Sequence, residues 1–599
     1  MPDYETHHVD VLVVGAGGAG LRAAIEAAAA GATTAVVCKS LLGKAHTVMA
    51  EGGVAAALGN VWSEDSWQEH FRDTMRGGKM LNNWRMAELH AQEAPDRVLE
   101  LESWGALFDR TADGRILQRD FGGHRYARLA HVGDRTGLEM LRTLQNRAVA
   151  CGIEVFMECK ILRLLTDASG AVCGALGLWR ASGEFVVFAA KAVILASGGI
   201  GKIWKFTSNS WESTGDGHAL ALWAGADLID MECVQFHPTG MIWPVSARGL
   251  LVTEGVRGDG GILKNADGER FMFRYIPEYY ASETAETIEE ADRWYDDKTV
   301  RRPPELLPRD EVARAINAEV KAGRGSPHGG VYLDIASRRS PESIRRRLPT
   351  MYQQFKELAD VDITTQAMEV GPTCHYMMGG VRVDAETEAA TIPGLFAAGE
   401  VAGGMHGANR LGGNSLSDLL VFGRRAGIGA AEYVKRLRPA APDVAALERS
   451  ATAALAYFEN EGGENPYVVH DAVAETMQSL VGIIRTAAEL EAALERLDEL
   501  DEQRRRVAVA GHRQFNPAWH LALDLESMLV VARSTTLSAI ARRESRGGHT
   551  RDDYPASDPE HFATVNIVTR LANGAVTVAE EERPALPAEL AALLEVARS

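Results

Sequence analysis

Residues 10–20 read Asp-Val-Leu-Val-Val-Gly-Ala-Gly-Gly-Ala-Gly, and the N-terminal region is built around them. The apolar residues 11–14 predict a short buried strand. Gly15, Gly17 and Gly20 follow with the spacing G-x-G-x-x-G, which is typical of a dinucleotide-binding turn. In such a turn the first glycine permits the bend, the second lets the backbone approach a pyrophosphate, and the third lets a helix pack close to the sheet. The candidate cofactor-binding residues of this loop are Gly15, Ala16, Gly17, Gly18, Ala19 and Gly20.

A helix and a second strand complete this unit. The alanine-rich residues 21–30 predict a helix that ends at Gly31, and residues 33–37 predict the second strand. The helix N-terminus then offers free N–H groups to an anion. An acidic residue is expected after the second strand to bind a ribose hydroxyl, but residues 38–40 read Cys-Lys-Ser. Because Lys39 is basic, the loop alone leaves NADP open beside other dinucleotides.

Composition and charge limit the class of protein. A chain of 599 residues is long enough for more than one domain, and its 46% hydrophobic residues allow large cores. The net charge of −19 argues against a nucleic-acid-binding surface. Because no run of about 18 uncharged apolar residues is present, no transmembrane helix is expected. Residues 1–9 lack the apolar segment of a secretory signal.

The cysteines predict no metal centre in this chain. The six cysteines are scattered and form no C-x-x-C pair, so neither an iron–sulfur cluster nor a zinc site is expected here. Scattered thiols in a long chain are typical of the reducing cytoplasm.

Later segments repeat the outline of the first unit. Residues 192–199 predict an apolar strand, and residues 394–416 predict a strand, a glycine-rich turn and a helix from about Ser415. A second strand–turn–helix far from the first predicts one sheet that is interrupted by an inserted domain. Between them, residues 276–308 are acidic and aromatic and predict an irregular excursion. Leucines at helical spacing within 490–500 predict bundle helices.

Six blocks of sequence occur in order over most of the chain. They are the loop at 15–20, His-Thr-Val-Met-Ala-Glu-Gly-Gly at 46–53, Gln-Phe-His-Pro-Thr-Gly at 235–240, Thr-Glu-Gly-Val-Arg-Gly at 253–258, His-Tyr-Met-Met-Gly-Gly at 375–380 and Asn-Arg-Leu-Gly-Gly-Asn-Ser-Leu at 409–416. Together they resemble the flavoprotein subunits of succinate dehydrogenase and fumarate reductase, above all the bacterial succinate dehydrogenase type. One block would be weak evidence, whereas six in the same order are strong evidence.

The resemblance implies that the cofactor is FAD. Family members often carry a Lys-Ser pair at the position of Lys39, so the missing acid does not contradict FAD. Taken alone, His46 is most simply a surface or hydrogen-bonded histidine in a polar loop. In family members the histidine at this place is bonded to the 8α carbon of the flavin, which implies covalent FAD at His46. The further implied FAD contacts are Lys39, Ser40, His46, Thr47, Gly52, Gly53, Asp216, Glu400, Ser415 and Leu416.

The resemblance also implies a small dicarboxylate substrate. Binding a dianion requires several fixed cationic or N–H donors. The acid–base residue of the family is an arginine, and we assign Arg309 because an Arg-Asp pair follows Pro308. Taken singly, each histidine would be structural, Arg410 would form a surface salt bridge, and Glu254 and Arg257 would steady a loop. The implied catalytic residues are Arg309, Glu254 and Arg257, and the implied substrate ligands are His237, Thr253, His375 and Arg410.

The implied fold class is α/β. An FAD-binding Rossmann-like domain is interrupted by an α+β capping domain, and a helical domain and an irregular C-terminal tail follow. The capping domain would close over the substrate and exclude water from the reacting carbons. The predicted domains are 1–232 with 371–432 for FAD binding, 233–370 for the cap, 433–545 for the helical part and 546–599 for the C-terminal part.

The predicted function is that of the flavoprotein subunit of succinate:quinone oxidoreductase, with fumarate reductase as the alternative. Electrons leave a flavin one at a time, so an iron–sulfur partner subunit is implied, and in the family that partner joins a membrane anchor. The chain would be peripheral on the cytoplasmic face and would reach quinone through its partners. A flavoprotein that modifies RNA bases is opposed by the net charge of −19, and a noncatalytic scaffold by the filled catalytic positions.

Overall fold

The structure is a computed structural model that describes residues 4–435, 437–438 and 440–595. Its architecture is α/β, as predicted. The α-helices are α1 (Gly18–Ala29), α2 (Trp67–Gly77), α3 (Trp84–Ser103), α4 (Thr136–Ala150), α5 (Asp216–Ala224), α6 (Gly255–Gly258), α7 (Ile288–Arg293), α8 (Arg309–Lys321), α9 (Pro341–Arg347), α10 (Pro349–Ala359), α11 (Asn414–Val434), α12 (Val444–Leu455), α13 (Pro466–Leu480), α14 (Ala487–Arg505), α15 (Pro517–Ala541) and α16 (Ala588–Glu595). The β-strands are β1 (Glu5–Val14), β2 (Thr34–Val37), β3 (Val54–Ala55), β4 (Gln118–Arg119), β5 (Leu129–Ala130), β6 (Glu154–Phe156), β7 (Cys159–Thr166), β8 (Val172–Trp179), β9 (Phe185–Leu195), β10 (Leu228–Ile229), β11 (Val234–Met241), β12 (Ile262–Lys264), β13 (Val331–Asp334), β14 (Met368–Met377), β15 (Gly380–Val381), β16 (Leu395–Ala397), β17 (Ile484–Arg485), β18 (Thr550–Arg551), β19 (Val565–Ala572) and β20 (Ala575–Glu582).

The main sheet of the described residues has seven strands. Its order is β6-β2-β1-β9-β8-β7, with β16 paired to β9. β1 is parallel to both β2 and β9, so Val14 lies opposite Val37 and Leu195 at the carboxyl ends of these strands. β16 is parallel to β9 on its other side. The chain therefore returns to its first sheet late in the sequence, as predicted, while the predicted domain limits stay predictions.

Packing explains two of the glycines in the first turn. Gly15 has a φ of +118°, and a Cβ there would lie 2.1 Å from the carbonyl oxygen of Ala196. A Cβ on Gly20 would lie 1.9 Å from the carbonyl oxygen of Gly15. Gly17 differs, because its added Cβ would meet only the Thr47 hydroxyl, at 3.3 Å, and the Ala45 methyl group, at 3.7 Å. The first and third glycines thus let α1 pack on the sheet, whereas the second keeps the turn open on its outer side.

A second, antiparallel sheet has the order β11-β14-β13-β12. Its buried side chains form a hydrophobic cluster with those of α8 and α10, including Val331, Ile316 and Met351. In the register of β11 and β14, His237 lies opposite Thr373. The pairing brings the blocks at 235–240 and 375–380 together, although they are far apart in the sequence.

The C-terminal part differs from the irregular tail that the sequence analysis expects. β19 and β20 form a hairpin around Asn573 and Gly574, whose φ angles are +52° and +79°. Asn-Gly with positive φ at both positions is the strongest short hairpin signal, so this turn was readable from the sequence. β19 also pairs with β10, which ties the hairpin to the body of the protein.

The predicted bundle helices are present. In α14, Leu490, Leu497 and Leu500 are fully or almost fully buried, and they belong to the same hydrophobic cluster as residues of α13 and α15. Among residues 4–435, 437–438 and 440–595, no helix combines the length and the apolar character needed to cross a membrane.

We predict that Gly20→Ala destabilises the apoprotein far more than Gly17→Ala. The new methyl group at position 20 cannot be accommodated without moving the backbone of Gly15, and overpacking of this kind costs about 1–3 kcal/mol. Gly17→Ala should change the free energy of unfolding by less than about 1 kcal/mol, yet it should abolish flavin retention. Urea unfolding of the apoproteins and flavin absorbance measure the two effects. Equal stability of the two variants would contradict the packing argument.

Candidate active site

A large cavity opens at the carboxyl ends of the parallel strands β1, β2, β9 and β16. Its lining runs from the glycine turn at 15–20, past His46, to His375 and Arg410. One cavity therefore connects the predicted dinucleotide-binding residues with the predicted substrate ligands. Of the candidate cofactor residues, Gly20 alone does not line it. Those that do are Gly15, Ala16, Gly17, Gly18, Ala19, Lys39, Ser40, His46, Thr47, Gly52, Gly53, Asp216, Glu400, Ser415 and Leu416.

Two helices begin at the wall of this cavity. α1 and α11 have glycines at their N-caps, Gly17 and Gly413, and neither N-cap makes a side-chain hydrogen bond. The Gly18 N–H donates to the Thr47 hydroxyl at 3.2 Å. In the described part of the chain, the Ala19 and Gly20 N–H groups of α1 and the Ser415 N–H of α11 have no hydrogen-bond partner, whereas the Asn414 and Leu416 N–H groups donate to backbone carbonyls. The helix dipoles favour negative charge at both N-termini. Backbone groups can thus bind a pyrophosphate without a basic side chain.

Lys39 is already paired with carboxylates of this chain. Its Nζ lies 3.1 Å from Asp216 and 2.7 Å from Asp524, while Lys160 Nζ lies 3.0 Å from Asp216. Burial alone would raise the pKa of Asp216, but the two lysines hold it well below its usual range. The NADP alternative, which rested on a free Lys39, loses its support. Lys160 and Asp524 were not predicted, because nothing in the linear sequence connects them to Lys39.

His46 begins a 3₁₀ turn, His46–Met49, in the wall of the cavity. Its Nδ1 is buried and has no hydrogen-bond partner in the described part of the chain. Burial lowers the pKa of His46 to about 4, so the ring is neutral at pH 7. Glu51, on the same wall, was not predicted as a site residue. Burial, with the charge of Asp134, raises the pKa of Glu51 to about 8, so this carboxyl group is mostly neutral as well.

Two guanidinium groups of the cavity wall meet at one amide oxygen. We call the part of the cavity that is lined by His237, Thr253, Glu254, Arg309, His375 and Arg410 the inner cavity. Arg309 Nη1 and Arg410 Nη2 both donate to Gln235 Oε1, each at 3.2 Å. The amide is fixed from its other side, because Gln235 Nε2 donates to Asn409 Oδ1 at 2.9 Å and to the Arg410 carbonyl at 2.7 Å. Arg410 Nη1 also donates to the Ser415 hydroxyl at 2.8 Å. Both arginines were predicted, whereas Gln235 was not selected although it opens one of the six blocks.

Glu254 joins Arg309 to Arg257. Arg309 Nε donates to Glu254 Oε2 at 2.9 Å, and Arg257 Nη2 lies 3.7 Å from the same oxygen. The Gly122 N–H donates to Glu254 Oε1 at 2.8 Å. Burial alone would raise the pKa of Glu254, but the charges of Arg309 and Arg257 lower it. An ionised carboxylate thus lies between two guanidiniums, and Arg257 stands behind Glu254 rather than in the cavity wall.

Two imidazoles face each other across β11 and β14. The ring centroids of His237 and His375 are 5.1 Å apart at 62°. His237 Nδ1 lies 2.9 Å from the Thr239 carbonyl oxygen and 3.2 Å from the Thr239 nitrogen, and the Ser208 hydroxyl lies 2.8 Å from His375 Nδ1. When the Ser208 hydroxyl donates to Nδ1, the Nε2–H of His375 is left to donate into the cavity. Burial, with nearby positive charge, holds both histidine pKa values well below the usual range. Thr253 lines the cavity beside them.

The inner cavity carries an excess of positive charge. Arg309 and Arg410 line it and Arg257 lies behind Glu254, whereas Glu254 is ionised and burial raises the pKa values of Glu51 and Glu400 to about 8 and about 7. Among the described residues Arg410 has hydrogen bonds to neutral side chains only. Burial and the charge of Arg309 lower the pKa of Arg410 to about 9, so it is charged at pH 7. Such a site binds a dianion well, because a dianion offsets this excess of positive charge.

Comparison with protein families identifies the cofactor. Residues 10–416 match the model of an FAD binding domain, and residues 470–586 match the model described as fumarate reductase flavoprotein C-term. The cofactor is therefore FAD. The glycine turn, the N-termini of α1 and α11 and the nitrogen of His46 that has no partner among the described residues fit this group.

Relatives span nearly the whole chain. A fumarate reductase (CoM/CoB) chain of Methanothermobacter marburgensis is 46% identical over 557 residues, 93% of this chain and 96% of that protein. The succinate dehydrogenase flavoprotein subunit of Coxiella burnetii is 39% identical over 595 residues, 95% of this chain and 96% of that protein. The solved structure of Mycobacterium smegmatis Sdh1 in complex with UQ1 has a TM-score of 0.85 and 59% identity, and covers 97% of this chain and 95% of that one. The chain belongs to the family of succinate dehydrogenase and fumarate reductase flavoprotein subunits, which are FAD-dependent oxidoreductases.

Proposed function

We propose that this chain is the flavoprotein subunit of a succinate:quinone oxidoreductase and oxidises succinate to fumarate. The observation that carries the proposal is the excess of positive charge around Arg309 and Arg410. Succinate supplies negative charge that this pocket lacks. Fumarate reduction by the same residues is the alternative, because relatives carry both names. The reduction potential of the partner and its quinone decides the direction.

Opposite ends of the inner cavity bind the two carboxylates of the substrate. Arg410 takes one of them in a two-pronged contact, since its Nε has no partner in the described part of the chain. The Nε2–H of His375, the imidazole of His237 and the hydroxyl of Thr253 bind the other. The four-carbon chain is thereby held between two fixed ends, which orients its methylene groups.

Succinate becomes fumarate by losing a hydride from one methylene carbon and a proton from the other. FAD supplies the acceptor for the hydride. Arg309 passes its Nε proton to Glu254 at 2.9 Å and takes the proton of the substrate in its place, and Glu254 then releases its proton on the side of Arg257. A free arginine is a poor base, because its ordinary pKa is above about 12. Arg309 is nevertheless placed for transfer, since it begins α8, where the helix dipole opposes additional positive charge.

A covalent bond between His46 and the 8α carbon of FAD belongs to the proposal. Two features support it: the ring of His46 is neutral, and its buried Nδ1 has no partner among the described residues. An electron-withdrawing nitrogen on the 8α carbon makes a flavin easier to reduce. Succinate oxidation needs such a flavin, because a saturated carbon chain is a poor hydride donor.

The proposed partners are a membrane anchor and an iron–sulfur subunit, which together would hold the chain on the cytoplasmic face of the membrane. Leu138 is an exposed apolar residue beside the His46 turn, where electrons would leave the flavin. It is 48% exposed, whereas Leu41 and Met49, at 46% and 43% exposure, line the cavity. Leu138 is held beside this turn because the Gly137 N–H donates to the Ala50 carbonyl at 2.7 Å. A partner that accepts single electrons must approach this side of the cavity.

Replacing Arg309 by lysine should remove most turnover while leaving the flavin and dicarboxylate binding in place. A lysine keeps the charge but cannot span Glu254 and Gln235 together. Loss of the acid–base group should lower kcat by at least about 100-fold. Arg301→Lys is the matched control, because Arg301 pairs with Glu290 outside the cavity. Steady-state kinetics with succinate measure this loss. A near-normal kcat in Arg309→Lys would refute the assignment of Arg309 as the acid–base residue.

The unfolded wild-type protein should fluoresce under ultraviolet light after denaturing electrophoresis, because its flavin is covalently attached. His46→Ser should lose this fluorescence but retain flavin in the native state. Its succinate oxidation should fall more than its fumarate reduction, since the flavin becomes harder to reduce. A wild-type band without fluorescence, from fully assembled complex, would show that the bond is absent.

Purification from membranes tests the proposed activity and partners together. The wild-type chain should co-purify with an iron–sulfur protein and oxidise succinate with both quinone and an artificial dye. Leu138→Glu should lose the partner and the quinone activity, because a charge in an apolar interface is costly, but keep dye reduction. Leu358→Glu is the control, since Leu358 is 46% exposed on α10. Absence of succinate oxidation with either acceptor would overturn the proposed function.

A further inference from the structure

A chain of buried polar side chains starts at Arg410, and its first member, Tyr376, also lines the cavity. The Cζ atom of Arg410 is 4.3 Å from the centre of the Tyr376 ring. The Tyr376 hydroxyl is 3.2 Å from His406 Nε2, and that nitrogen is 3.7 Å from Asp418 Oδ2. All four side chains are at most 8% exposed. None of Tyr376, His406 and Asp418 was predicted to belong to the site.

The protonation state of this chain follows from burial. Burial lowers the pKa of His406 and raises that of Tyr376, so both rings are neutral at pH 7. His406 Nδ1 is buried without a partner among the described residues. A proton on Nε2 avoids leaving an unpaired N–H donor at Nδ1, and it lets the imidazole donate toward the phenol oxygen and Asp418. The phenol ring is therefore fixed at its hydroxyl end.

Arg410 needs such support because hydrogen bonds hold it on one side only. Gln235 and Ser415 bind its two Nη atoms, and no carboxylate pairs with it among the described residues. Before the substrate arrives, the charge of Arg309 repels the Arg410 guanidinium and no bound anion opposes that repulsion. The face of an aromatic ring attracts a guanidinium without neutralising it, so the charge stays available to the substrate.

We propose that Tyr376 is a positioning residue for substrate binding: its ring face holds the Arg410 guanidinium in place, and His406 and Asp418 fix the ring. A carboxylate in the same position would cancel the charge that captures the dianion. An aliphatic side chain would fill the space but would exert no attraction. This inference rests on the proposed function, because it assigns Tyr376 a role in binding the dicarboxylate.

The test separates the ring from the hydroxyl and from core packing. Tyr376→Met fills a similar space without a π face and should raise the KM for succinate by about 3- to 30-fold, with kcat within about twofold of wild type. Tyr376→Phe retains the ring and should rescue binding to within about threefold. Tyr457→Met is the matched control, because Tyr457 is buried at 7% exposure, and its hydroxyl accepts from Arg504 in the helical part. It should leave KM unchanged.

A series of fluorinated phenylalanine analogues at position 376 tests the same role without deleting the ring. Its outcome does not depend on how well Tyr376→Met folds. Phenylalanine analogues with increasing numbers of fluorine atoms, incorporated at position 376, withdraw electron density from the ring with little change in shape. The Kd for malonate, a dicarboxylate that cannot form the alkene, should rise stepwise with fluorination in titrations followed by flavin absorbance. A merely structural ring would show no such trend.

The outcomes distinguish this inference from the proposed function. A wild-type complex that neither oxidises succinate nor binds malonate overturns the proposed function and this inference with it. A wild-type complex that does both, with a Kd for malonate independent of fluorination, overturns the role of Tyr376 alone. Equal loss of kcat and binding in Tyr376→Met and Tyr376→Phe would also overturn it, because the ring face would then not matter.

Discussion

The central constraint of this structure is the burial of positive charge around one amide oxygen, Gln235 Oε1. Arg309 and Arg410 both donate to it at 3.2 Å, although their like charges repel. Burying unpaired charge is expensive, and a single carboxylate, Glu254, offsets only part of it. The fold holds the two groups close because the amide is fixed by Asn409 and by the backbone of Arg410 itself. The repulsion within this arrangement is relieved when an anion enters.

This constraint explains why separate elements converge on one place. Gln235 and His237 come from β11, His375 from β14 and Arg309 from the first turn of α8. Rigid strands and a helix start hold side chains more closely than loops do, which matters when like charges must stay near one another. The cofactor wall comes instead from the parallel sheet, where the helix N-termini serve a negatively charged group. One cavity thus joins a wall of backbone N–H groups to a pocket of guanidinium charge.

How much the sequence revealed depended on how local each feature is. The glycine turn, the α/β class and the return of the chain to its first sheet follow from local patterns, and the structure has them. Gln235 was not predicted as a site residue, because its role exists only when two arginines, 74 and 175 residues away, meet at its side chain. Asp524 lies 485 residues from Lys39, and no periodicity encodes that contact. The hairpin at Asn573 is a different case, because its Asn-Gly turn signal is local and the prediction of an irregular tail does not use it.

Charge balance also gives a reason for selectivity between ligands. In the proposed function, a dicarboxylate would offset the excess positive charge and would use the donors at both ends of the pocket. A monocarboxylate would leave one guanidinium or the donors at the histidine end buried without a partner, and each unsatisfied buried group costs about 1–3 kcal/mol, more when it is charged. Two such losses would make the affinity for a monocarboxylate more than tenfold lower than that for a dicarboxylate, even where the carbon chains have the same length. The neutral state of His237 and His375 matters here, because protonated rings would add charge that no four-carbon dianion could balance. Selectivity therefore comes from what a wrong ligand leaves unpaired, and it requires the histidines to stay buried as much as it requires the arginines to stay charged.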